Sequence, residues 1–230
     1  MHVTAIVPAA GEGTRFGRAI RKQFIALGGL PILSHTLRAL AAAQTLAAVI
    51  VVVPPGEESI GREALRLAGI DIETEVVPGG RERQDSVYNG LKRARPDTDL
   101  VLVHDGVRPL VSRAVILATI EAAKEWGAAV AAVPVIDTVK RVDDAGFVVE
   151  TLAREHLWIV QTPQVFRYGL LMRAHLAVRD QSIVTTDDAT LVERIGVKVK
   201  VVRGSSDNLK ITSEDDLSLA DLILRRRIAR

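Results

Sequence analysis

Four runs of this chain, Val3–Pro8, Ala48–Val53, Leu100–Val103 and Ala128–Val133, are apolar almost without a break and rich in valine and alanine. A strand with one face in water alternates apolar and polar side chains. A strand covered on both faces need not, and a parallel sheet sandwiched between helices leaves its strands in that position. The segments between the runs supply the cover: Ile32–Ala43, Ser59–Leu67, Ser86–Arg95 and Ala114–Trp126 repeat apolar residues at helical spacing. Strand alternating with helix predicts an α/β fold, a Rossmann-like, mostly parallel sheet flanked by helices.

The pattern changes after Val133. Asp137–Val142, a turn at Asp143-Asp144-Ala145-Gly146 and Phe147–Thr151 read as a β-hairpin. Beyond Thr162 the helical and strand signals return, with helices expected near Gly169–Val178 and Asp188–Ile195 and a strand at Lys198–Val202. A final helix is expected from Ser213, which has the first-turn acid Asp216 three residues on. No internal repeat or low-complexity linker divides the chain. The expectation is a single domain over residues 1–230 with a protruding β-arm inserted at about 136–155.

Several function classes are excluded or disfavoured by composition. Cysteine is absent, so disulfides, zinc-thiolate sites and thiol nucleophiles are ruled out. The five histidines, His2, His35, His104, His156 and His175, form no pair at ligand spacing. A net charge of +2 is too balanced for a nucleic-acid binder. No apolar run approaches the roughly 18 residues that would cross a membrane, and Met1-His2-Val3-Thr4 lacks the basic region and cleavage site of a signal peptide. The expected location is the cytoplasm.

The first strand runs directly into Pro8-Ala9-Ala10-Gly11-Glu12-Gly13-Thr14-Arg15-Phe16-Gly17. Small residues at a strand's carboxyl end let backbone N–H groups approach phosphate oxygens. The dinucleotide fingerprint fails because Phe16 stands where its third glycine belongs, and the P-loop fails because Phe16-Gly17 replaces its Gly-Lys. What remains is a phosphate-sized loop with two cations, Arg15 and Lys22, suited to polyphosphate charge. Asp105 follows the run Leu100–Val103 and so also stands at a strand's carboxyl end. One carboxylate completed by phosphate oxygens and waters is an ordinary Mg²⁺ environment.

These pieces resemble, in order and over nearly the whole chain, the 2-C-methyl-D-erythritol 4-phosphate cytidylyltransferases. The resemblance is carried by Val7-Pro8-Ala9-Ala10-Gly11-Glu12-Gly13-Thr14-Arg15, Lys22-Gln23, Gly79-Gly80-Arg81-Glu82-Arg83-Gln84-Asp85-Ser86-Val87 and His104-Asp105-Gly106-Val107-Arg108-Pro109. It continues through Asp137-Thr138-Val139-Lys140, Gln161-Thr162-Pro163-Gln164, Thr186-Asp187-Asp188 and Asp207-Asn208-Leu209-Lys210-Ile211-Thr212. The chain departs from the family pattern in Arg21-Lys22, where Pro-Lys is usual, and in Gly106-Val107, where Ala-Ala is usual.

The resemblance implies attack of a phosphate-monoester oxygen on the α-phosphorus of CTP. Arg15, Lys22, Arg154 and Lys210 would be the catalytic cations. Ala9, Ala10, Gly11, Gly13, Gly79, Gly80, Ser86 and Asp105 would bind the nucleotide, with Asp105 facing Mg²⁺. Arg108, Thr138, Arg154, Thr162, Thr186 and Lys210 would hold the polyol phosphate. It also implies a homodimer whose arms cross to complete each other's sites. Three alternatives compete: a ribitol-5-phosphate cytidylyltransferase; an NAD(P)-dependent reductase, against which the broken glycine fingerprint speaks and for which Tyr88 and Lys92, on a predicted helix beside the base-binding segment, are no catalytic pair; and a nucleotide sensor without turnover.

Overall fold

The computed structural model describes residues 1–11, 21–178 and 185–228. In chain order its strands are β1 (Val3–Pro8), β2 (Ala26–Leu27), β3 (Leu30–Pro31), β4 (Ala48–Val53), β5 (Glu73–Pro78), β6 (Leu100–Val103), β7 (Ala128–Pro134), β8 (Lys140–Val142), β9 (Val148–Thr151), β10 (Trp158–Arg167) and β11 (Lys200–Arg203). Its helices are α1 (Ile32–Ala41), α2 (Glu58–Ala68), α3 (Arg83–Leu91), α4 (Arg113–Trp126), α5 (Tyr168–Val178), α6 (Asp188–Arg194) and α7 (Glu214–Ile228).

Seven strands form one sheet in the order β11-β7-β10-β6-β1-β4-β5. All are parallel except β10, which runs antiparallel to both β6 and β7. The valine-rich runs are the buried strands, and both of their faces are used. On one face Val3, Ala5 and Val7 of β1 and Val49, Val51 and Val53 of β4 pack against α1, α2 and α4. On the other, Ile6, Ile50 and Val52 pack against α3, α5 and α6. Two covered faces account for the missing polar alternation.

Two strands carry no such signature. β5 lies at the sheet's edge, and among its residues only Val77 is buried, so its sequence mixes Glu, Thr and Val. β10 contains Pro163, which cannot donate to a ladder. A register shift between Val160 and Gln164 lifts Pro163 out of the pairing, and the strand continues past it. Its antiparallel direction follows from the arm: the chain leaves β7 at Pro134 and returns beside it at Trp158, so no crossover helix is required. The helix expected at Ser86–Arg95 starts earlier, at Arg83, because the Asp85 carboxylate accepts the Glu82 amide at 3.0 Å and closes the first turn.

The arm is the antiparallel pair β8–β9, joined to no other sheet. Its turn falls where the sequence places it. Asp143 Oδ1 accepts the Ala145 and Phe147 amides, and Gly146 supplies the left-handed backbone at φ 86°. A third, smaller apolar cluster seats α7 through Ala220 and Ile223 against Ile25, Leu27, Ile32 and Ile211.

Candidate active site

Strand order reverses at β1. The chain moves outward from β1 through β4 to β5, then restarts on the opposite side with β6. In an open α/β sheet this reversal parts the loops at the carboxyl ends of the two central strands and leaves a crevice between them. The loops that follow are Ala9-Ala10-Gly11 after β1 and His104-Asp105 after β6. Both are pinned by backbone bonds: Ala9 N donates to Val52 O at 2.7 Å, His104 N to Ile6 O at 3.0 Å and Gly106 N to Pro8 O at 3.2 Å.

One cleft of about 440 Å³ opens here, within the size range of small-molecule sites. Ala9, Ala10, Gly11, Lys22, Gly80, Ser86, Asp105 and Lys210 all line it. A second cleft of about 420 Å³ is lined by Arg108, Thr162, Thr186 and Asp187. Arg83, Asp105 and Lys210 belong to both. The structure thus brings together most of the residues singled out from sequence. Thr138, Arg154 and Gly79 line neither cleft, Gly79 standing behind Gly80 in the same turn. Arg154 lies at the base of the arm, where its guanidinium donates to the Ile136 carbonyl. Gly13 and Arg15 fall outside the described residues.

The first cleft has a rigid wall. The buried amide of Gln23 donates to the carbonyls of Ala9 and Gly11, tying the short 3-10 turn Lys22–Phe24 to the small-residue loop. Arg21 adds a partly buried ion pair to Glu57 at 2.8 Å. Opposite, Ser86 Oγ accepts the Gly80 amide at 3.1 Å and donates to Glu82 O at 3.2 Å, which holds the Gly79-Gly80 turn against the start of α3. Gly79 is glycine for want of space: a Cβ there would stand 2.6 Å from Ala10 Cβ and 2.8 Å from Ser86 Oγ.

Asp105 is the electrostatic centre. Lys210 Nζ lies 2.9 Å from Oδ2, Arg83 3.3 Å from Oδ1 and Arg108 Nε 3.6 Å from Oδ2. Burial alone would raise this carboxyl's pKa, but the Arg83, Lys210 and Arg108 charges outweigh it and hold it well below the usual carboxylate range. Lys210 reaches the site because the next residue, Ile211, is fully buried under α7 and its amide donates to Val107 O at 3.0 Å.

A buried chain of hydrogen bonds anchors the Asp105 backbone, and its polarity follows from the histidine. His104 Nε2 faces the Arg108 carbonyl at 3.1 Å, so it must carry the proton. Burial is the main reason the ring's pKa is pushed down to about 4, so the imidazole is neutral and Nδ1 is an acceptor. Thr162 Oγ1, 3.0 Å from Nδ1, therefore donates to it and accepts the Asp105 amide at 3.0 Å. Thr162 lines the second cleft, yet its hydroxyl is already engaged on both sides. Asn208 extends the network, donating to Thr162 O at 2.8 Å and accepting from Arg108 Nη1 at 2.7 Å.

Sequence reasoning assigned no role to His104, Gln23, Arg83 or Asp188. Arg83 and Asp188 form a 2.7 Å ion pair across 105 positions, with Asp188 fully buried. The available signal was the doubled Asp187-Asp188 at a helix start, where only one acid is needed as cap. Asp187 is that cap, accepting the Thr190 amide, and the other faces Arg83.

Fold and cleft together define a class: an α/β protein with a cationic, polyphosphate-sized cleft at its topological switch point, as nucleotidyltransferases have. The family model for 2-C-methyl-D-erythritol 4-phosphate cytidylyltransferase matches residues 3–226. The chain is 51% identical to the enzyme of that name from Pelotomaculum thermopropionicum over 99% of its own length and 96% of the relative's. It is 47% identical to the Desulforamulus reducens enzyme over 98% of its length and 97% of that enzyme's. Among solved structures, the 4-diphosphocytidyl-2C-methyl-D-erythritol synthase of Anaerococcus prevotii superposes with a TM-score of 0.87 at 33% identity, covering 97% of this chain and 96% of that one. The 2-C-methyl-D-erythritol 4-phosphate cytidylyltransferase of Thermus thermophilus superposes with a TM-score of 0.81 at 36% identity, covering 98% and 100%. The chain belongs to the 2-C-methyl-D-erythritol 4-phosphate cytidylyltransferase family, and its activity is that of a cytidylyltransferase. The ribitol-phosphate, reductase and sensor alternatives give way to this assignment.

Proposed function

We propose that the two clefts hold the two substrates, CTP in the first and 2-C-methyl-D-erythritol 4-phosphate in the second, and that they react across the shared edge at Asp105 and Lys210. An oxygen of the acceptor's phosphate monoester forms a new bond to the α-phosphorus of CTP. The α–β phosphoanhydride bond breaks, and its electron pair leaves with pyrophosphate. A phosphate monoester with its second pKa near 6 is mostly dianionic at pH 7, so no general base has to remove a proton. The protein's task is alignment and neutralisation of charge.

The residues divide accordingly. The amides around Ala9–Gly11 and the cations Lys22 and Arg15 receive the triphosphate. The Gly79-Gly80 turn, held by Ser86, borders the nucleoside. Lys210 stands where it can meet the attacking phosphate, with Arg108 and Thr162 fixing its surroundings and Thr186 on the far wall. The observation that carries the reading is the convergence of Lys22, Asp105 and Lys210 on one cleft beside the small-residue loop.

Magnesium fits this site as a companion of the nucleotide. Asp105 offers one carboxylate, already faced by three cations, and no group of three or more metal-ligating side chains exists among the described residues. Such a site suits an ion that arrives coordinated by phosphate oxygens and keeps several waters. When bound, it would neutralise charge on the triphosphate.

Arm exchange is part of the proposal. Ile136 is 78% and Phe147 72% exposed, and Val148 and Val149 are exposed beside them. A two-stranded hairpin with an uncovered apolar surface is marginal alone in water. A second copy would cover it and bring Thr138 and Arg154 to its neighbour's acceptor cleft. No helix among the described residues is long and apolar enough to cross a membrane.

The test is a pyrophosphate-coupled assay with four nucleoside triphosphates against methylerythritol phosphate and ribitol 5-phosphate. Turnover should require CTP, methylerythritol phosphate and a divalent cation, and cease with EDTA. Turnover with ribitol 5-phosphate instead would replace the acceptor. No pyrophosphate with any pair would remove the catalytic reading.

A further inference from the structure

Arg83 opens α3 directly after the Gly79-Gly80 turn, so its backbone belongs to the nucleotide half of the site. Its side chain reaches beyond it. Nη1 donates to Asp188 Oδ2 at 2.7 Å, while Nε and Nη2 each lie 3.3 Å from Asp105 Oδ1. One guanidinium is therefore shared between the carboxylate at the centre of the nucleotide cleft and a fully buried carboxylate at the start of α6. Burial opposes the Arg83 charge, but Asp188 and Asp105 hold its pKa above the ordinary arginine value. It stays a cation under all working conditions.

Asp188 is joined to the acceptor wall. Gln164 Oε1 accepts the Asp188 and Ala189 amides at 3.1 and 3.2 Å, and Gln164 Nε2 donates to Asp187 at 2.9 Å. Gln84, next to Arg83, accepts both the amide and the hydroxyl of Thr185. Residues 185–189 are thus fixed to α3 through adjacent side chains, and Thr186 of this segment lines the acceptor cleft. Beyond Arg83, the one charged neighbour of Asp188 among the described residues is His175, with Nε2 3.7 Å from the other carboxylate oxygen, and neither of those two atoms has a hydrogen-bond partner among those residues. The side-chain position of Asp188 therefore depends chiefly on Arg83.

We infer that Arg83 is a positioning residue that couples the two half-sites: what happens at Asp105 when the nucleotide binds is passed through the shared guanidinium to Asp188 and the wall at 185–189. The inference rests on the assignment of CTP and the acceptor phosphate to the two clefts. A lysine in its place would keep the charge but could not span both carboxylates, because it lacks the planar fork. A polyphosphate and its cation compete for Asp105. Drawn away from Asp105, the guanidinium is left to Asp188 alone, so the acceptor wall tightens as the nucleotide arrives.

The test is calorimetry of methylerythritol phosphate binding to the full-length protein, with and without saturating α,β-methylene-CTP and Mg²⁺, which bind without turnover. Coupling between sites typically amounts to about fivefold or more. The wild-type protein should show at least that change in acceptor affinity. Arg83→Lys and Arg83→Gln should bring the ratio close to one, while each ligand still binds. Should Arg83→Gln fail to fold, Arg83→Gln with Asp188→Asn leaves no orphaned buried charge on α6 and carries the same expectation. An independent reading on the wild-type protein is hydrogen exchange at residues 185–194, which should slow when the analogue alone is bound. A ratio near one in the wild type, a folded variant that keeps the wild-type ratio, or exchange unchanged by the analogue each overturns the inference. Failure of the analogue to bind at all overturns the substrate assignment instead, and the coupling with it.

Discussion

The neutral histidine beneath the site gives a sharp stability prediction. His104 is fully buried, donates from Nε2 to Arg108 O and accepts at Nδ1 from Thr162. Protonation would put a second N–H against the Thr162 hydroxyl and a charge in a buried pocket beside Arg108. With a folded pKa of about 4 against an ordinary value of 6.5, the unfolded chain binds the proton more readily between those limits. Stability from this group is therefore complete above about pH 6.5 and is lost as pH falls toward 4. At about 1.4 kcal/mol per pH unit that interval comes to about 3 kcal/mol. The assay is urea unfolding of the protein between pH 7.5 and 4.5 in EDTA, beside His104→Gln, whose amide can still donate to Arg108 O without titrating. Carboxylates titrate alike in both proteins, so the difference in slope isolates the histidine. The wild-type protein should lose about 2 kcal/mol more than the variant between pH 6.5 and 5. Equal slopes, or an NMR titration placing His104 near 6.5, would refute the depression of its pKa by burial and the stability assigned to it.

Three further outcomes follow from the geometry. Lys22→Ala should lower kcat by about 10²–10³ with little loss of thermal stability, the usual effect of deleting one preorganised donor to a developing charge; unchanged turnover would remove Lys22 from the reaction. Gly79→Ala forces a methyl against Ala10 and Ser86 and should cost about 1–3 kcal/mol in denaturant unfolding while raising KM for CTP more than for the acceptor. An unaltered protein would show that the turn has room to spare. On the arm exchange proposed above, the wild-type protein should be a dimer in light scattering, and Phe147→Asp with Val149→Asp, which places charge on the exposed arm, should be a monomer without turnover. A dimer that survives would place the interface elsewhere.

How much of this was legible from the chain depends on the range of each interaction. The unbroken runs Val3–Pro8, Ala48–Val53, Leu100–Val103 and Ala128–Val133 announced buried strands because burial on both faces is written into a few consecutive residues. The Asp143–Gly146 turn was legible for the same reason, since its capping carboxylate and left-handed glycine are neighbours. Loop placement followed too: a small-residue loop or an aspartate directly after a buried strand lies at a carboxyl end, and Ala9–Gly11 and Asp105 do. The ordered motifs then carried the family.

Tertiary structure decided the rest. β5 read poorly because an edge strand needs only one buried side chain, and β10 because a proline inside a strand is tolerated only where the ladder shifts, which depends on the partner strand. The direction of β10 was set by where the arm departs and returns. Thr162 lines the acceptor cleft as the sequence suggested, and the fold adds that its hydroxyl also bonds His104 and the Asp105 amide. Arg83 and Asp188, 105 positions apart, form an ion pair that no local pattern encodes. Periodicity and turn chemistry are properties of adjacent residues and survive in the sequence. A charge shared between two carboxylates exists only once the fold has brought three distant segments within about 3 Å of one another, the range at which charged groups hydrogen-bond.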